Sequence, residues 1–214
     1  MNHIQTDVSD ESLIHAIRAN ISDLFRLMSR AIPEEHLENE KFTRWNTPLP
    51  HPWFNGVLST KPFEETDDAF IEDTIQYFRS KEDNTFTWWM DPPLGASDWK
   101  TALSKHGFGF SGDTPGMAVD LQALNESQPA VDGLEIRVAA DEESLRVWTN
   151  VFIEGYGLPS DWETIAFDVW SKLSLDSRVR NYIGYLNDKP VSTSCMIYGG
   201  GAAGIYSVAT LPEA

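Results

Sequence analysis

Apolar residues recur at three- and four-residue steps from Glu11 to Ile32. Leu13, Ile14, Ile17, Ile21, Leu24, Phe25, Met28 and Ile32 fall on one face, which predicts an amphipathic helix. Ser9 or Asp10 can cap its start, and Pro33 stands just beyond its end. The proline-rich stretch NTPLPHPW then leads into a predicted strand, Phe54 to Ser59. A second helix is expected from Thr66 to Lys81, with Thr66, Asp67 and Asp68 placing oxygen acceptors and negative charge at its start. Its buried stripe is Ala69, Ile71, Ile75 and Phe78. Next come a strand, Thr85 to Met90, closed by Asp91-Pro92-Pro93, and a short helix, Asp98 to His106. Gly116 to Leu121 alternates like another strand, and the polar stretch from Asn125 to Gly133 reads as a linker.

Beyond that linker the pattern sharpens. Leu134, Ile136 and Val138 alternate with Glu135 and Arg137, predicting a strand with one buried face. Asp141 opens an amphipathic helix through Leu145, Trp148, Val151 and Phe152 that ends at Gly155-Tyr156-Gly157. Pro159 to Leu175 gives another helix, carrying Trp162, Ile165, Phe167, Val169, Trp170 and Leu173. Two strands, Asn181 to Leu186 and Val191 to Tyr198, flank the turn Asn187-Asp188-Lys189-Pro190, a hairpin signal. Gly199-Gly200-Gly201 then leads to a last strand, Gly204 to Thr210.

Composition narrows the function classes. The chain has 214 residues, 41% hydrophobic and 23% charged, as ordinary globular domains do. Its formal net charge of −17 repels phosphate backbones and anionic lipid, so neither nucleic acid nor a membrane surface is an expected partner. One cysteine, Cys195, excludes an intramolecular disulfide framework and a multi-cysteine zinc site. All five histidines precede the linker and none shows ligand spacing, so no metal site is expected. No basic-then-apolar leader and no stretch of ~18 apolar residues is present, and cytoplasm is the expected location.

The order from Leu134 onward, together with Tyr182-Ile183-Gly184-Tyr185-Leu186-Asn187-Asp188-Lys189-Pro190-Val191-Ser192 and the run from Gly204 to Ala214, resembles the first half of a GNAT (GCN5-related) N-acetyltransferase domain. The match covers about 80 residues, in which element order, spacing and the Val208 to Glu213 ending (V-x-x-x-P-E) agree together. Strand 54–59, helix 66–81, strand 85–90, helix 98–106 with Lys105-His106-Gly107-Phe108, and strand 116–121 resemble the second half of such a domain. The resemblance implies an α/β (α+β) fold, a mixed, mostly antiparallel sheet flanked by helices in two GNAT-like halves. The implied organisation is a helical segment plus a degenerate half over 1–124, a linker over 125–133, and the N-terminal half of a GNAT domain over 134–214.

The resemblance also implies a chemistry. Acetyl-coenzyme A, as co-substrate, would lie along the last strand, where Val208, Ala209 and Thr210 would supply backbone groups to it and one N–H would polarise the thioester carbonyl. In the family a glycine loop follows that strand and holds the phosphates on a helix N-terminus. The chain ends at Ala214 without one, so the resemblance implies a truncated enzyme, impaired or inactive. At the corresponding place in the first half, Ser59 to Thr66 has no glycine, and Glu64, Glu65, Asp67 and Asp68 would repel a pyrophosphate. Glu154 is the candidate general base, near the amine directly or through water, against a plainer reading as a solvated carboxylate. Tyr206 is the candidate side chain facing the acceptor, against a packing role, and Cys195 reads as a buried small hydrophobe. The expected acceptor is a small-molecule amine or a peptide N-terminus, to which the acidic surface is suited. Three readings stay open: an acetyltransferase, a non-catalytic GNAT-like binding or regulatory protein, or an enzyme completed by exchange of elements between chains in a dimer. Unpaired groups on strand 204–210 make a homodimer the expected assembly.

Overall fold

A computed structural model describes residues 4–32, 35–81, 85–90, 96–125, 127, 129–212 and 214. The expected Pro33 stop and Asp91-Pro92-Pro93 break lie outside the described residues. The architecture is mixed α/β, with two four-stranded sheets and flanking helices. Its compact units are not consecutive in sequence: residues 1–24 belong with 116–214, and residues 25–115 form the other unit. Helix α1 (Asp10–Ala31) therefore contributes to both. Ahead of α1 the Asp7 carboxylate accepts the Ser9 N–H at 2.9 Å and the Ser12 hydroxyl at 2.6 Å. Among the described residues no helix is long and apolar enough to cross a membrane.

In the unit of residues 25–115 the strands β1 (Leu37–Glu38), β2 (Phe42–Asn46), β3 (Asn55–Ser59) and β4 (Thr87–Met90) pair in that order. The first two pairings are antiparallel, but β3 and β4 run parallel. A parallel neighbour requires a crossover, and α2 (Asp68–Arg79) supplies it. With α3 (Ala96–Lys105), these elements enclose a core rich in aromatics, among them Phe42, Phe78, Trp88 and Trp99. Two of the buried indoles are satisfied: Trp88 Nε1 donates to Ser59 Oγ at 2.7 Å, and Trp99 Nε1 to the Lys61 carbonyl at 2.9 Å, whereas the buried Trp45 Nε1 has no hydrogen-bond partner among the described residues. The expected strand at 116–121 does not form; its residues, all exposed except the half-buried Asp120, are unladdered up to a 3-10 turn at Leu121–Ala123. Alternation marks a face but provides no partner, and Met117, 92% exposed, has none to pack on.

In the other unit β5 (Leu134–Val138), β6 (Val179–Leu186), β7 (Lys189–Gly199) and β8 (Ala202–Thr210) form an antiparallel sheet in that order. Helices α4 (Glu142–Gly155) and α5 (Glu163–Leu173) lie between β5 and β6 in the chain. Asp141 caps α4 as expected, accepting the Ser144 N–H at 2.8 Å. Both hairpins turn on two residues with positive φ, Asn187 and Asp188 in one, Gly200 and Gly201 in the other, the combination that matches strand twist. Val179, Asn181 and Ile183 of β6, and Val191, Thr193, Cys195 and Ile197 of β7, form the buried face under α4. Trp148 stacks on Phe152 at 5.2 Å and meets Trp170 at 4.6 Å in that layer. The buried face expected for β5 is absent. Leu134, Ile136 and Val138 lie on the sheet face shared with Gly184 and stay exposed, and Glu135 and Arg137 on the other face are exposed too.

Candidate functional site

The place where chemistry is feasible is the second half of β8 and the end of α4. From Ala202 to Tyr206, β8 runs in register with Gly199 to Cys195. The register then slips: Cys195 faces Tyr206, but Thr193 faces Ala209, so Ser207 and Val208 together answer Ser194. This is a β-bulge. Ser207 takes φ +50°, a left-handed conformation that side chains other than glycine rarely hold. Thr193, buried on β7, donates its hydroxyl to the Ser207 carbonyl at 3.0 Å.

The bulge changes which groups face outward. Leu211 N–H donates to the Val191 carbonyl at 2.8 Å. Two-residue alternation then turns the backbone of Ala209 toward β7. Each peptide is planar and trans, with C=O and N–H opposed, so the Val208 carbonyl and both backbone groups of Thr210 turn to the free edge. Of the three residues expected to meet acetyl-coenzyme A, Val208 and Thr210 thus offer their backbones outward, and Ala209 is committed to the ladder. The Ala209 side chain is 6% exposed and Val208 60% exposed.

Helix α4 ends against this segment. A Cβ on Gly155 would stand 2.8 Å from the Ala209 Cβ and 3.6 Å from the Thr210 nitrogen, so glycine permits the approach. The helix closes with Leu158 N–H on the Ile153 carbonyl and Gly157 N–H on the Glu154 carbonyl, both 2.9 Å, with Gly157 at φ +65°. Glu154, one residue before the contact, is exposed. Glu154, Val208 and Thr210 are therefore brought to one corner of this unit.

Tyr206 is engaged elsewhere. Its hydroxyl donates to Asn20 Oδ1 at 2.6 Å, and burial, with the Cys195 and Asp23 charges behind it, pushes the phenol up to about 12. Asn20 Nδ2 reaches the carbonyls of Ile197, Gly199 and Ala202 at 3.0, 2.9 and 3.1 Å. Asp23 also accepts the Gly200 N–H at 3.1 Å. Nothing in the α1 pattern announces that Asn20 clamps a hairpin more than 170 residues away. Cys195 is fully buried, and burial raises its thiol to about 12, which leaves it without nucleophilic character near neutral pH.

In the other unit, the segment around Glu64 and Asp67, where the sequence resemblance would put a phosphate loop, is filled from within. Glu64 N–H donates to Asp67 Oδ2 at 2.8 Å, and Lys41 Nζ meets both Asp67 oxygens at 3.0 and 3.1 Å. Asp67 is 4% exposed. A buried carboxylate already takes the cation and amide that an anion would need.

No protein-family model matches the sequence, and no curated protein matches it. Solved structures do. A GCN5-related N-acetyltransferase from Kribbella flavida superposes with a TM-score of 0.62 at 14% identity, over 90% of this chain and 73% of that one. The fold is that of a GCN5-related N-acetyltransferase. Coverage of 90% exceeds either compact unit alone, so the GCN5-related likeness reaches into both. A putative acetyltransferase from Pyrococcus horikoshii overlaps 42% of this chain and 32% of its own at 19% identity, with a TM-score of 0.33, too low to bear on the fold.

Proposed function

We propose that the chain is a GNAT-type N-acyltransferase that takes acetyl-coenzyme A along the free edge of β8 and passes the acetyl group to a primary amine at the α4–β8 corner. What supports this is one observation: a bulged β8 edge, unpaired among the described residues, presenting Val208 and Thr210 beside the end of α4, in a GCN5-related fold. An extended pantetheine arm suits such an edge, since strand-like backbone hydrogen bonds are what it offers. An edge N–H would meet the negative charge that grows on the thioester oxygen as the amine attacks. Glu154 would take the proton the amine loses, directly or through water, as the N–C bond forms and the C–S bond breaks. Tyr206 would hold β8 in place through Asn20 instead of touching the acceptor. The acceptor we favour is a small cationic amine or a peptide N-terminus, in keeping with the net charge of −17.

The second reading, a non-catalytic binding module, draws on the Asp67-filled segment, which makes residues 59–67 a poor seat for a pyrophosphate. Calorimetric titration with acetyl-coenzyme A, followed by acetylation assays on an amine panel, separates the two. Saturable micromolar binding with turnover supports the enzyme, binding without turnover supports the module, and no binding at millimolar ligand overturns both. A homodimer is the assembly we propose, and light scattering showing only monomer would reject it.

A further inference from the structure

The bulge on β8 is gripped from the neighbouring strand by one side chain, and the consequence falls on one N–H. Up to Tyr206 the even-numbered residues of β8 face β7; from Ala209 onward the odd-numbered residues do, because the bulge adds one residue. The peptide that carries the switch joins Ser207 to Val208. Its carbonyl is held by the Thr193 hydroxyl at 3.0 Å, on the β7 side, from a side chain only 3% exposed. Because a trans peptide opposes its C=O and N–H, the Val208 N–H must turn away from β7, toward the free edge. Without that hydroxyl, Ser207 at φ +50° loses the bond that holds its carbonyl inward.

We propose that Thr193 is a positioning residue whose hydroxyl, acting through the Ser207 carbonyl, aims the Val208 N–H at the thioester carbonyl of the bound acyl group. This rests on the acetyl-coenzyme A reading above. It assigns Val208 N–H, of the edge groups, as the one that meets the acyl oxygen, and it makes a buried side chain with no ligand contact the source of that aim.

The test compares acetyl-coenzyme A with coenzyme A, which shares everything except the thioester carbonyl. Binding of both is measured by calorimetry for the wild type, Thr193→Val and Thr193→Ser, with folding checked by circular dichroism. Thr193→Val keeps the shape and deletes the donor; it should weaken acetyl-coenzyme A about fivefold, the equivalent of one net hydrogen bond, and leave coenzyme A unchanged. Thr193→Ser should restore the wild-type preference. In the wild type, the Val208 amide resonance should shift with acetyl-coenzyme A and not with coenzyme A, an observation that needs no variant to fold. Equal weakening of both ligands by Thr193→Val, or no change in either, overturns the inference while leaving the binding reading intact. A wild type that binds neither ligand overturns the binding reading, and the inference falls with it.

Discussion

Replacing Asn20 with alanine probes how β8 is held. Asn20 is 3% exposed, and its amide serves three carbonyls at the Gly200–Gly201 hairpin while its oxygen accepts the Tyr206 hydroxyl. The amide has only two hydrogens, so at most three full bonds exist at once, two donated and one accepted. At a net value near 1 kcal/mol each, Asn20→Ala should destabilise this unit by about 3 kcal/mol. The carbonyls of Ile197 and Gly199 belong to residues already paired in the β7–β8 ladder, which keeps the figure from rising further. Tyr206→Phe removes one of the three and should cost about 1 kcal/mol, and the double variant should show a coupling of similar size. Urea unfolding followed through amide resonances of β7 and β8 reads these values for this unit alone. A cost for Asn20→Ala below ~1 kcal/mol, or strict additivity with Tyr206→Phe, would refute the clamp.

Further outcomes follow from the same corner. Ser207→Gly relieves a positive φ and should stabilise the chain by up to about 1 kcal/mol; a loss on urea unfolding would show that the bulge is not held as described. Gly155→Ala gains helix propensity of about 1 kcal/mol yet forces a Cβ to 2.8 Å from Ala209, so net destabilisation and weaker acetyl-coenzyme A binding are expected, and a stabilised variant would contradict the close approach. Cys195 should resist an aromatic disulfide reagent in the native state and react on unfolding. Its thiol titrates near 8.5 when unfolded and at about 12 when folded, so the folded state holds the extra proton between those values. Stability is then intact below about 8.5 and falls as pH rises toward 12, and Cys195→Ala should flatten that decline. Rapid native labelling, or an unchanged decline in the variant, would show the thiol to be accessible.

The legible parts of the fold were those with one buried face and local chemistry. β6 and β7 alternate cleanly because α4 covers one side, and Asp141 announces α4 through its own capping. β2 shows no legible pattern, because Phe42, Thr43, Arg44 and Trp45 are all buried, which erases alternation. Arg44 is tolerated there by its contact with Asp73 at 2.9 Å and its place over the Tyr77 ring. The segment 116–121 shows the opposite error, a pattern without a partner strand. At the site, the family-like strand was readable, but the division of labour along it was not. That division depends on a one-residue bulge and on Asn20 and Thr193, whose contacts lie outside any local window.

Amide hydrogen exchange along β8, with and without acetyl-coenzyme A, tests the central claim most directly. If the free edge takes acetyl-coenzyme A, exchange slows at Thr210, beside the pantetheine arm, and at Val208, at the acyl oxygen, while Ala209, already bonded within the ladder, does not change. Unchanged exchange at Val208 and Thr210 under saturating acetyl-coenzyme A would contradict it.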